Sequence, residues 1–366
     1  MNFAVIASLS SAAFFGLATS LTAQPDGLTV VAVLQDQTAL AGAHVIRMHA
    51  GLAYIAGKGG SLAIVSVAQP SSPELLWSDQ SAETYADVQT VLPLDRGRLL
   101  VGARELLLFD VRQPSMPALL ATLRDRPRID QVNSFARFGD TVYGANSNGY
   151  IFSADVSGTD RIRLLGTRAV RERDNLAGPH DVALSGDFLV VVDGDGFGRD
   201  TKRGRFGTYG VIDPVTRAAL APEQWGSPTI ITDRRFAGAH RVVTAGSFAY
   251  VGSTNHVTIV DLSNPAKPRV RGTIVFSDDR GSSGLAVSGR IVFAAGGQTV
   301  QAIDVSNPGQ PRELARVSAP AAFSGGGDDA HDLAYHDGYL FITAQTSHAL
   351  VVVRVDGKQL REAARP

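Results

Sequence analysis

Four short stretches of the chain set a histidine in the same frame: Gly42–Ile46 (GAHVI), Gly178–Val182 (GPHDV), Gly238–Val242 (GAHRV) and Asp329–Leu333 (DAHDL). They contain His44, His180, His240 and His331, half of the eight histidines in the sequence. Neutral imidazole is the commonest metal ligand in proteins. A set of nitrogen ligands suits Fe, Cu, Ni or Zn and not Mg or Ca. An ion so held, with one or two open positions, binds dioxygen or a substrate oxygen; that is the chemistry of an oxidase, an oxygenase or a metal-dependent lyase. The chain has no cysteine, which excludes a thiol nucleophile, a thiolate metal site and any disulfide. Each histidine follows a small residue, Ala43, Pro179, Ala239 or Ala330, so the chain segments that carry them can approach closely.

A repeat sets this frame. Tyr54–Leu76, Leu99–Leu123, Tyr250–Ile274 and Val292–Val317 each run a short apolar strand, a turn, a second apolar run, then Asp-x-x-x-Pro-x-x-Pro or a degraded form of it, and one more strand. Weaker copies start at Val142, Phe188 and Tyr339. A further short strand precedes each copy. Four short strands per unit, at a period of roughly 45 residues, is the signature of a propeller blade. A small sheet that is apolar on both faces buries them only between two neighbours. The expected fold is all-β: one seven-bladed β-propeller of four-stranded blades over residues 28–366. Leu28–Asp36 (LTVVAVLQD) precedes the first blade and is expected to close the seventh as its outer strand, with the polar tail KQLREAARP as a poorer competitor.

The segments LAIVSVAQPSSP, LLLFDVRQPSMP, VTIVDLSNPAKP and VQAIDVSNPGQP resemble the LVIVD-repeat β-propellers, a group of mostly exported proteins. The resemblance covers roughly Met48 to Asp356, while blades three, four and seven lack the double proline. It implies the fold and export. It implies no reaction, because one propeller fold hosts many functions.

Counting back eight residues from Leu52, Phe188, Phe248 and Tyr339 reaches His44, His180, His240 and His331. The same count gives Ser134 in blade three, Ser283 in blade six and, with one extra residue, Thr90 in blade two. This position opens the innermost strand, beside the central channel, where four imidazoles can meet. A four-histidine iron centre on a seven-bladed propeller is the arrangement of the carotenoid-cleaving oxygenases, which this chain resembles in that respect alone. The frame equally fits histidines that brace their own blades and were copied by duplication. The protein is then a non-catalytic scaffold whose rim binds a protein or a glycan. Asp181 and Asp332, next to two of the histidines, either orient them or face solvent. His49, His256, His336 and His348 read as surface or blade-packing residues.

Loops expected on the histidine face are rich in arginine: Arg128, Arg173, Arg199, Arg203, Arg235 and Arg280. Guanidinium forks match carboxylate, sulfate or phosphate oxygens, which points to an anionic small molecule or glycan, although Asp125, Glu172, Asp174 and Asp233 partly cancel the charge. Nucleic acid is excluded because aromatic residues are not interleaved with these arginines. The net charge of −1 gives no overall pull toward nucleic acid or anionic membrane. Asp193–Asp200 (DGDGFGRD) reads as a turn with spare carboxylates, since position twelve of a calcium loop would be Gly204 and not glutamate. Residues 1–25 carry no charge, and the apolar run Phe3–Leu21 ends in LTAQ. Residues 1–23 therefore read as a signal peptide cleaved near Ala23, which predicts a periplasmic or secreted protein with no transmembrane segment in the mature chain.

Overall fold

Strands that alternate between two buried faces need a neighbour on each side, and the fold supplies it by closing a ring. The computed structural model describes residues 27–81, 83–194, 203–254, 256–276, 283–325 and 329–364. The proposed signal peptide, Arg199, Arg280 and most of the DGDGFGRD stretch lie outside these residues. The described strands form seven antiparallel sheets of four strands each. The sequence-based expectation of a seven-bladed propeller is borne out.

Six blades run in chain order from hub to rim. The first comprises Ala43–His49, Leu52–Gly57, Ser61–Ser66 and Glu74–Gln80. The seventh takes Ala330–His336, Tyr339–Ala344 and Ala349–Val355 from the end of the chain and Leu28–Gln35 from its beginning. Leu28 pairs with Val355 and Gln35 with Ala349, so the first strand is the outer strand of the last blade, as expected. The tail that could have competed forms a short helix instead, Gly357–Ala363. Its first N–H groups, of Lys358 and Gln359, donate to the side chain of Asp356, and Leu360 tucks under the closing strand in the same apolar cluster as Leu28 and Val30.

Alternation along each strand builds one apolar cluster per blade interface. In blade one, Val45, Ala56 and Ile64 pack toward blade two, while Ile46, Ile55 and Val65 pack toward blade seven. The aspartate that ends the third strand of most blades explains the repeat's Asp. The carboxylates of Asp110, Asp155, Asp261 and Asp304 each accept the backbone N–H two residues on, at 2.8–3.0 Å, which locks the outer turn. No helix among the described residues is long and apolar enough to cross a membrane.

The closing strand generates a prediction. Leu28 and Val30 are 1 % and 7 % exposed, so Leu28→Asp combined with Val30→Asp places two carboxylates in apolar surroundings. The expected loss is about 3 kcal/mol or more, read as a lower denaturation midpoint by urea titration.

Candidate functional site

The histidines stand where the inner strands break their ladder. In blade one Ala43 pairs with Gly57 and Val45 with Ala56, which leaves His44 as the extra residue of a bulge. His180 lies in the same way between Pro179 and Asp181, and His331 between Ala330 and Asp332. A bulged residue leaves the alternation and is re-aimed, here toward the hub. His240 directly precedes its inner strand, Arg241–Ala245, and its N–H donates to the Gly252 carbonyl. The glycines two residues before His44 and His240 are required: Gly42 and Gly238 have φ of +63° and +64°, and a Cβ on Gly238 would lie 2.1 Å from Thr254 Oγ1. Where the fourth stretch has aspartate instead, Asp329 takes over, its carboxylate accepting the N–H groups of Gly325, Thr346 and Ser347 at 2.8–3.1 Å. Ahead of His180, Asp193 does the same for Ala177 (2.7 Å) and Gly178 (3.3 Å).

All four rings meet at the hub. His44 and His331 have centroids 3.8 Å apart and His180 and His240 3.9 Å apart. Between these pairs, His240 lies 4.9 Å from His331 and 6.4 Å from His44. Nitrogens about 2.1 Å from a shared ion would keep ring centroids within about 6.5 Å, so the gathering is tight enough for common coordination. Among the described residues, however, no group of three His, Asp or Glu has its donor atoms set to hold an ion as the side chains stand; the two close pairs lie ring against ring, tilted by 38° and 36°.

The hydrogen bonds show what holds them. His180 Nδ1 lies 3.0 Å from the His240 carbonyl, and His331 Nδ1 lies 3.0 Å from the His44 carbonyl. A carbonyl only accepts, so each Nδ1 carries the proton and the lone pair is on Nε2. Each bond joins neighbouring blades, four to five and seven to one. Burial holds all four imidazoles well below their usual pKa; for His180, where Arg241 is the next cause, the value falls to about 3. The Nδ1 atoms of His44 and His240 are buried with no hydrogen-bond partner.

Asp181 and Asp332 do not face solvent: they are 2 % and 1 % exposed. Asp181 accepts from Ser134 Oγ and the Val182 N–H, and reaches across to the Val242 N–H of blade five at 2.7 Å. Asp332 accepts the Ile46 N–H of blade one at 3.2 Å, binds Arg47 Nη1 at 2.8 Å and faces Arg241 Nε at 3.3 Å. His-Asp is thus a two-residue stitch between blades.

Two readings of the sequence need adjusting. In blade three the bulged residue is Asn133, not Ser134, because Val132 pairs with Asn146 and Ser134 with Ala145. The strand there opens at Thr141, one residue earlier than its apolar Val142. Asn133 Nδ2 donates to the Pro179 carbonyl of blade four, the asparagine version of the histidine stitch. Among the arginines, Arg128 and Arg235 are engaged with Asp125 and Asp233 at 2.6 Å, while Arg173 and Arg203 are exposed. His348 is structural: its Nδ1 accepts the Gly42 N–H at 2.8 Å. Arg241, the cation beneath the ring, was not singled out by sequence because only its place beside His240 marks it.

The LVIVD repeat family model matches residues 44–78, 238–274 and 279–319. The chain carries LVIVD repeats. Two of the three matches begin at or just before a hub histidine, and the first runs from the inner to the outer strand of one blade. No curated protein matches the sequence. Among solved structures this propeller is similar to the Neurospora crassa Pan2 WD40 domain, with 11 % identity over 92 % of this chain and 97 % of that one, at a TM-score of 0.62. It is also similar to the computationally designed Ika8 protein, with 12 % identity over 88 % and 98 % and a TM-score of 0.55. At these identities the likeness is one of fold.

Depressed imidazole pKa values link stability to pH. The unfolded chain protonates these histidines near pH 6.5 while the folded chain resists until about 3 at His180, so stability is complete above 6.5 and falls as pH drops through that window. Each ring contributes up to about 1.4 kcal/mol per pH unit. Urea titrations of chelator-treated protein between pH 7 and 4 should show a slope that becomes shallower in His240→Gln.

Proposed function

We propose that the four hub histidines form the binding site of a transition-metal ion in an exported propeller. The observation that carries this reading is the convergence of four neutral imidazoles, two of them fixed by Nδ1–H···O=C bonds in the tautomer that presents Nε2. The other two, His44 and His240, have buried Nδ1 atoms that no protein group satisfies. Those two rings are held by contact with His331 and His180. The donor set suits Fe, Cu, Ni or Zn. The carboxylates of Asp181 and Asp332 offset the positive charge of Arg241 beneath the ring. A metal with open positions there supplies activation of dioxygen or polarisation of a substrate oxygen. The chain's own part is to hold the ligands neutral, fix their tautomers and keep them half-buried or buried.

An acidic substrate or glycan on the histidine face would meet Arg173 and Arg203 first, with Arg128 and Arg235 available only by displacing Asp125 and Asp233. Arg199 and Arg280 belong to the same proposal. A second reading has its own support: the stitches from His180, His331, Asp181 and Asp332 brace blades, as a purely structural ring in a binding scaffold requires. Bracing uses Nδ1 and coordination uses Nε2, so the two roles coexist on one ring.

Elemental analysis of protein purified without a histidine tag separates the readings. The metal reading expects about one ion per chain, lost in His44→Ala and His240→Ala, which break no stitch made by a side chain. A content near zero in the folded wild-type protein, also after incubation with Fe, Cu, Ni or Zn salts and desalting, leaves the scaffold.

A further inference from the structure

Beyond the histidines the channel widens into a cavity of about 430 Å³, within the range of small-molecule sites. Its walls come from the inner strands of every blade but the second, at positions that follow those of the hub histidines. The site is therefore on the side of the hub opposite the histidine ring. Phe135, Val182, Leu285 and Leu333 make the wall apolar, while Arg47 and Arg241 stand where it begins.

Arg241 is the anomaly. It is 2 % exposed, and its Nη2 is buried and makes no hydrogen bond. A buried guanidinium N–H left without an acceptor is strongly unfavourable. The nearby carboxylates are already occupied: Asp332 by Ile46 N–H, Arg47 and the Arg241 Nε contact, and Asp181 by Ser134, Val182 and Val242. The lining holds three cations, Arg47, Arg137 and Arg241, against two carboxylates. Arg137, nearer the mouth, also pairs with Asp95 and Asp140, which are 69 % and 58 % exposed, and such exposed pairs yield readily. The guanidinium donor that Arg241 leaves unmet, at the head of an apolar wall, is complemented by one anionic acceptor on an apolar body.

We propose that the channel is a binding site for a small monocarboxylate with an aliphatic or aromatic body, its carboxylate on Arg241 and Arg47 and its body against Phe135, Leu285 and Leu333. The site owes nothing to a metal. It goes beyond the histidine reading, and either can fail without the other.

Calorimetric titration of the chelator-treated full chain with hexanoate tests it, with hexanol as the uncharged control. Hexanoate should bind at least about tenfold more tightly than hexanol, as a charge-assisted pair requires. Ala286→Phe, which fills the wall, should weaken hexanoate about tenfold or more while circular dichroism stays that of the wild type. Arg241→Met should remove the preference for the acid; should that variant fail to fold, the wall variant alone decides. The proposal is overturned by no heat or shift with hexanoate, by equal affinity for hexanol, or by unchanged hexanoate affinity in folded Ala286→Phe.

Discussion

The hydrogen bond from a hub histidine to the backbone of the next blade is the constraint on which the centre of this propeller depends. His180 reaches the His240 carbonyl and His331 reaches the His44 carbonyl, and the aspartate that follows each of them takes an N–H two residues further along the same neighbouring strand. Each stitch fixes the neighbour's inner strand in two places. The neighbour's own histidine is thereby drawn against the first ring, which is why the four rings come as two close pairs. Neither the backbone nor the apolar clusters would by themselves bring four imidazoles together: those clusters lie between blades, while three of the histidines lie at bulges that open the inner strands and His240 directly precedes its strand.

The hub is asymmetric in a way that its seven-fold plan hides. Stitches made by His-Asp occur in blades four and seven, and Asn133 with Ser134 supplies a polar counterpart in blade three. Arg241 occupies in blade five the position that Asp181 and Asp332 hold in blades four and seven, and it turns to Asp332 across the channel. The axis thus passes from a layer of neutral imidazoles, through a layer of paired charges, into an apolar cavity. A metal site at one end and an organic acid at the other would be separated by that charged layer, which also keeps the imidazoles neutral by placing Arg241 beneath them.

Much of this was legible in the sequence. The blade repeat, the ring closure by Leu28–Gln35 and the shared position of four histidines all follow from strand periodicity and one fixed count. The frame survives because Gly42 and Gly238 need positive φ and the residues before each histidine must be small. The count failed by one residue in blade three, where Thr141 opens the strand and hides Asn133 from a search for apolar strand starts. The roles of Asp181 and Asp332 were not legible. An aspartate after a histidine faces solvent or the hub according to a bulge, and no residue pattern announces the bulge. Nor did charge counting find Arg241: it ranks among many arginines, and only its burial and its contact with Asp332 set it apart.

The most direct test of the central claim is X-ray absorption at the zinc edge, on protein loaded with one equivalent of zinc and freed of excess ion. Coordination at the hub predicts three or four nitrogen neighbours at about 2.0–2.1 Å with the outer-shell scattering of imidazole, and loss of that signature in His240→Ala. A spectrum of oxygen neighbours without imidazole scattering, or one unchanged by the substitution, would mean that the hub histidines join blades and hold no ion.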